Sequence, residues 1–141
     1  MREIAKRSKF NSAKVIRKWF TAAEGDRLRL QLSDKTEATF WFDSGDANKV
    51  NKNEVIKFNA SYVLPIKMSL NKQKKILAEN PEHLATNFVG EIIEIGESNF
   101  IIDAGQLFIY VDKEKGFGIG DFVTGQIPSA IRCHLVKGEA K

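Results

Sequence analysis

Asp26-Arg-Leu-Arg-Leu-Gln-Leu32 and, after Ser33-Asp34-Lys35, Thr36-Glu-Ala-Thr-Phe-Trp-Phe-Asp43 alternate apolar and polar side chains. Successive side chains of an extended chain point to opposite faces. Leu28, Leu30 and Leu32 therefore share one face and Arg27, Arg29 and Gln31 the other, while Ala38, Phe40 and Phe42 oppose Glu37, Thr39 and Trp41. This period of two predicts a pair of half-buried strands, and the intervening Ser33-Asp34-Lys35 is short enough for a hairpin. A hairpin with one apolar face must cover that face, so the rest of the chain must supply its partners.

Working outward, Ala13 to Thr21 is rich in β-branched and aromatic residues and reads as a strand. Glu54 to Met68 is long enough for two short strands around Pro65 or one bent strand. The first half is thus a run of four or five strands. Asn71-Lys-Gln-Lys-Lys-Ile-Leu-Ala-Glu79 predicts a helix, capped by Ser69 or Asn71 and ended by Asn80-Pro81, because the residue before proline avoids helical angles. Five further strands follow: Phe88 to Ile95, Phe100 to Asp103, Leu107 to Asp112, Asp121 to Ile127 and Ile131 to Val136.

The halves can be laid over each other. Phe40-Trp-Phe-Asp43 matches Ile109-Tyr-Val-Asp112, Asn53 to Phe58 matches Gly120 to Gly125, and the proline-containing tails Tyr62 to Met68 and Ile127 to Cys133 have a similar rhythm. A duplicated unit explains such a pattern, with chance similarity between short meanders as the competitor. The expected fold is mostly β, with two tandem small β-barrel halves packed together and a short connecting helix. Its divisions are a basic segment at 1–12, a first barrel at 13–70, a helical connector at 71–86 and a second barrel at 87–138. A barrel of about 60 residues buries a thin core, so mutual packing of the halves is expected.

Val89-Gly-Glu-Ile-Ile-Glu-Ile95, Phe100-Ile-Ile-Asp-Ala-Gly105 and Gly118-Ile-Gly-Asp-Phe-Val-Thr-Gly-Gln-Ile127 resemble the strand and turn rhythm of oligonucleotide/oligosaccharide-binding (OB) barrels, over about 50 residues. SH3-like barrels share the Gly-Asp turn before a β-branched strand, since glycine accepts positive φ and aspartate caps its own turn. The resemblance implies binding of a single strand or short polymer on a sheet face. The exposed aromatic and basic residues of that family are not matched throughout this half, which is acidic.

Composition narrows the function classes. No segment approaches the roughly 18 consecutive apolar residues of a membrane helix, and residues 1–10 lack the apolar core of a secretory signal. A cytoplasmic protein without membrane association is therefore expected. The single cysteine, Cys133, supplies neither an internal disulfide nor a cysteine-rich zinc site. Residues 1–18 hold seven basic side chains against one acidic, a net +6 that leaves −2 for the remainder of a chain of net +4. Such asymmetry suits a polyanionic partner, the plain alternative being a solubilising tail.

Catalytic signals are weak. Cys133 and His134 are neighbours on a strand and point to opposite faces, so they fail as nucleophile and base. Neither His-x-His, His-Glu-x-x-His nor Cys-x-x-Cys occurs, and Gly116-Phe-Gly-Ile-Gly120 lacks the Gly-Lys-Ser/Thr ending of a phosphate loop. No enzyme activity, metal or cofactor is expected. The best constellation is Arg27 and Arg29 with Trp41 on the polar hairpin face, and Lys14, Arg17 and Lys18 on the preceding strand. An indole among cations is what single-stranded DNA or RNA needs, bases stacking and cations tracking phosphate. Against this, Trp41 aligned with Tyr110, and Phe108 beside it, would form the seam between barrels. The leading expectation is a non-enzymatic nucleic-acid-binding protein. The alternative is a protein-binding module, such as an inhibitor or immunity-type protein, that holds its partner through the acidic half or a sheet edge.

Overall fold

The computed structural model describes residues 10–21, 25–32, 34–77 and 84–136. The fold is mostly β. β1 (Asn11–Thr21), β2 (Gly25–Gln31) and β3 (Glu37–Phe42) form an antiparallel meander, in which Leu28 faces Phe40 and Arg27 faces Trp41 across the hairpin. Leu28, Leu30, Phe40 and Phe42 of the apolar face read from Asp26 to Asp43 are fully enclosed, and Thr39 of the expected polar face is buried too, where Leu84 bridges it. A short helix, α1 (Ser44–Ala47), leads to β4 (Val55–Tyr62), which returns to lie antiparallel beside β1. The spatial order β4-β1-β2-β3 is a Greek key. The last strand, β11 (Arg132–Leu135), fills the remaining gap, parallel to β3 and antiparallel to β4, and closes a five-stranded barrel.

A second group of strands continues from this barrel. β5 (Ile66–Met68) follows β4 after a break at Val63-Leu64-Pro65, so both readings of that stretch, two strands and one bent strand, describe it. β7 (Asn87–Ile95), β8 (Asn99–Asp103) and β9 (Phe108–Asp112) form another antiparallel meander, and β10 (Phe122–Gly125) pairs with β7. The far end of β4 runs parallel to β9, while β5 runs antiparallel to β10. The halves expected at 13–70 and 87–138 are therefore not self-contained: β11 lies in the first barrel, and β4 and β5 supply partners to both ends of the second sheet.

The helical connector expected at 71–86 is not what the described residues show. β6 (Lys75–Leu77) is a strand paired antiparallel with β7, residues 71–74 are irregular, and 78–83 lie outside the described residues. Among those described, α1 is the only helix. Two facts explain the difference. Ile76 and Leu77 offer too narrow an apolar stripe to dock a helix, and Ile76 packs against the core from the strand instead. The expected caps form a local turn: Gln73 N donates to Asn71 Oδ1 at 2.9 Å, and Ser69 Oγ donates to Asn71 O at 2.7 Å.

One continuous core runs through both groups of strands. Phe58 on β4 lies 6.4 Å from Phe40 and 5.7 Å from Phe42, centroid to centroid. Further along β4, Tyr62 meets Phe88 of β7 edge-on at 5.3 Å. The Tyr62 hydroxyl donates to Ile127 O and passes directly over Gly125, where a Cβ atom would collide with the phenol and come within 2.8 Å of Asn87 Oδ1. Asn87 in turn holds the backbone of Gly125, accepting from its N–H at 2.8 Å and donating to its carbonyl at 3.2 Å. Gly125→Ala is accordingly expected to lose about 1–3 kcal/mol through overpacking. Urea denaturation checks this, and an unchanged midpoint would show that the tyrosine moves aside at no cost.

The junction is made by backbone. Besides the β4–β9 pairing, the buried side chain of Asn11 accepts from Phe108 N at 2.7 Å and donates to Phe108 O at 3.0 Å. A buried amide that satisfies both backbone groups of a distant residue fixes how β1 and β9 approach each other.

Candidate functional site

The pleat of β2 and β3 carries Arg27, Arg29 and Trp41 outward from the barrel, since their neighbours Leu28, Leu30, Phe40 and Phe42 point inward. Across β1–β2, Arg17 stands opposite Arg29 and Trp19 opposite Arg27. Trp41 has Arg27 on one side and, through the parallel β3–β11 pairing, Arg132 on the other. The Arg132 guanidinium carbon sits 5.1 Å from the centre of the Trp41 ring, within cation–π range. Arg27 and Trp41 are half-buried and Arg132 is exposed. The result is a cross-strand row, Arg27–Trp41–Arg132, on one outer face.

Not every expected residue joins this row. Lys14 is exposed on β1 and lies between Gln31 and Val55 in the ladders, further along the same outer face. Arg17 is exposed next to the row. Lys18 is engaged elsewhere. It pairs in register with the inward-facing Leu28, and its ammonium donates to Val50 O at 2.7 Å, which anchors the β3–β4 connection. Arg29 is on the face but engaged, its Nε 3.0 Å from Glu37 Oε1. This leaves Arg27 and Arg132 as the cations flanking the indole.

Arg132 was not among the expected residues. Its own strand shows an alternation, Ile131 and Cys133 buried with Arg132 and His134 exposed. Nothing local says, however, that the neighbour of Arg132 is a tryptophan 91 positions earlier. The expected seam also differs. Trp41 meets Arg132 and neither Phe108 nor Tyr110; Tyr110 is reached only by continuing the row through Ser61 of β4 to β9. Tyr110 is half-buried, and its hydroxyl titrates above the usual phenol range because of burial and, secondarily, the nearby Glu94 carboxylate.

Elsewhere the chemistry is structural. Cys133 is fully buried, which pushes its thiol well above the usual range, while His134 is exposed on the opposite face. The buried Asp46 carboxylate accepts from Leu135 N at 3.0 Å and lies 3.9 Å from His134 Nδ1, tying α1 to β11. Among the described residues no group of three His, Cys, Asp or Glu side chains is placed to hold a metal ion. An open groove at the far end of the second sheet, between Ile95, Phe100, Lys113, Lys115 and Phe117, mixes charges of both signs. Among the described residues no helix is long and apolar enough to cross a membrane.

Fold and face together define a mostly-β protein whose closed five-stranded barrel carries an outward basic and aromatic row. Comparison with protein families, with curated proteins and with solved structures finds no match to this chain.

Proposed function

We propose that the protein is a non-enzymatic binder of single-stranded nucleic acid, which it holds across β2, β3 and β11 of the closed barrel. The observation that carries this reading is the Arg27–Trp41–Arg132 row: one aromatic plane between two guanidinium groups on an outer sheet face. Bases stack on aromatic rings and on guanidinium planes alike, and the remaining charge of each arginine suits phosphate. Arg17 and Lys14 extend the positive surface toward the basic N-terminal segment, whose residues 1–9 lie outside the described ones. The barrel supports the same reading. A Greek key closed by a fifth strand is the architecture of OB barrels, which bind oligonucleotides over the face of their second and third strands, and here β2 and β3 carry Arg27, Arg29 and Trp41. In this assignment the OB-like barrel is the first one together with β11, and the second group of strands is inserted between its fourth and fifth strands.

The test is a titration of the intrinsic tryptophan fluorescence with single-stranded DNA and RNA at low and moderate salt. Binding is expected to change the emission and to weaken as salt rises, since each phosphate neutralised releases counterions. No response at low salt would overturn the proposal and leave the acidic half as the place to look for a protein partner.

A further inference from the structure

The two groups of strands share more than strand order. β1 and β7 each carry a bulge, between Val15 and Arg17 and between Ile92 and Glu94. At the bulge Val15 N donates to Glu54 O at 2.8 Å and Val15 O accepts from Asn53 N at 2.6 Å; Ile92 makes the same two bonds with Asp121 O and Gly120 N, both at 2.9 Å. Asn53 and Gly120 both have positive φ, 73° and 95°. Glu54 Oε1 accepts from Asn51 N and Asp121 Oδ2 from Gly118 N, each at 2.8 Å. Two acids that follow the third strands, Asp46 in α1 and Glu114 in a loop, accept from Leu135 N at 3.0 Å and from Ile66 N at 3.1 Å. The strand that completes each group is parallel to the third strand and antiparallel to the fourth. β11 does this for β3 and β4, and the bent β4–β5 strand does it for β9 and β10.

We propose that the chain is one five-stranded unit used twice, with the fifth strands exchanged, and that only the first copy has kept a polyanion-binding face, to which the second copy contributes Arg132. The inference rests on the nucleic-acid reading for its functional half. The register of shared hydrogen bonds gives the correspondence. Starting from Val15 with Ile92 and moving across the ladders, Arg17 corresponds to Glu94, Arg29 to Ile101, Arg27 to Asn99 and Trp41 to Asp112. By the same register Arg132 corresponds to Val63. The row Arg27–Trp41–Arg132 thus becomes Asn99–Asp112–Val63, with no cation, no aromatic plane and one carboxylate. Its surface repels phosphate, so one chain takes one strand.

The experiment grafts the row onto the second copy. Val63 and Asp112 are exposed and Asn99 is half-buried, so V63R/N99R/D112W leaves the core untouched, and V63R/D112W is the milder companion. Stoichiometry is measured with an oligothymidylate of about four nucleotides, at the short end of barrel site sizes, with circular dichroism to confirm folding. Wild type is expected to bind one oligonucleotide per chain and the grafted protein two, and Arg132→Ala is expected to weaken the original site in both by roughly 5- to 150-fold while leaving the grafted site unchanged. One site in a folded graft overturns the correspondence between the faces, and two sites in wild type overturns the single-face assignment. Wild type that binds none overturns the nucleic-acid reading itself, and with it the functional half of this inference.

Discussion

Phe58→Ala is expected to cost about 3–5 kcal/mol, the range for removing a fully enclosed phenylalanine, and to make the whole chain unfold earlier in one transition. Phe58 is completely buried and its ring touches the rings of Phe40 and Phe42 from the opposite wall of the barrel. Its backbone pairs with Asn11 of β1 on one edge and with Leu135 of β11 on the other. Alanine leaves a cavity that those two rings cannot close without leaving their own rotamers. The loss does not stay local, because the strand that carries Phe58 continues through Ala60 and Tyr62 into pairing with β9. Urea unfolding should be followed by tryptophan emission, since Trp19 and Trp41 both lie in the first barrel, and by tyrosine near-ultraviolet circular dichroism, since Tyr62 and Tyr110 pair with the second sheet. The two signals are expected to share one midpoint, shifted equally by the substitution. Separate midpoints would show that the second sheet stands without the first barrel.

The same strand shows what could be read before the structure and what could not. Alternation from Asp26 to Asp43 specified the inner face of the hairpin, because Leu28 and Leu30 found Phe40 and Ala38 directly across the ladder, whereas Thr39, read on the polar face, is buried as well. The five strands expected after Phe88 correspond to β7 through β11, since turns such as Gly96 to Ser98 and Ala104 to Gln106 separate them. What alternation carries is a strand's face; it carries no information about its partner. β11 reads equally well as the last strand of a second barrel, and only the three-dimensional gap between β3 and β4 draws it back to the first. For the same reason the match of Trp41 to Tyr110 differs by two positions from the proposed correspondence, in which Trp41 takes the place of Asp112. A two-residue slip keeps every side chain on its own face and leaves no trace in the pattern. The helix expected over 71–79 failed on a related point: its lysines satisfied helical propensity, which is a weak prior once Ile76 finds a strand partner in Phe88.

The largest expected effect on binding belongs to the pair that sequence reading left apart. Trp41→Ala removes the only aromatic plane of the row, and stacking of one base is worth about 1–3 kcal/mol, roughly 5- to 150-fold in Kd. Arg132→Ala is expected to weaken binding by a similar factor. The reason is geometric: its guanidinium already lies over the indole, so the two side chains present one composite surface. Arg29→Ala should matter less, under about 1 kcal/mol, because Arg29 is held by Glu37 and shares its charge with that carboxylate. Salt separates the roles. Trp41→Ala should lower affinity without altering the slope of log K against log salt, whereas Arg132→Ala should also flatten the slope, by about 0.7 for one lost phosphate contact on a single strand. If Trp41 positions Arg132 as well as stacking, the double variant W41A/R132A will lose less than the sum of the single losses, a coupling readable from a double-mutant cycle. Strict additivity would mean that the two side chains meet the ligand independently, and the guanidinium over the indole would then be a surface contact with no part in recognition.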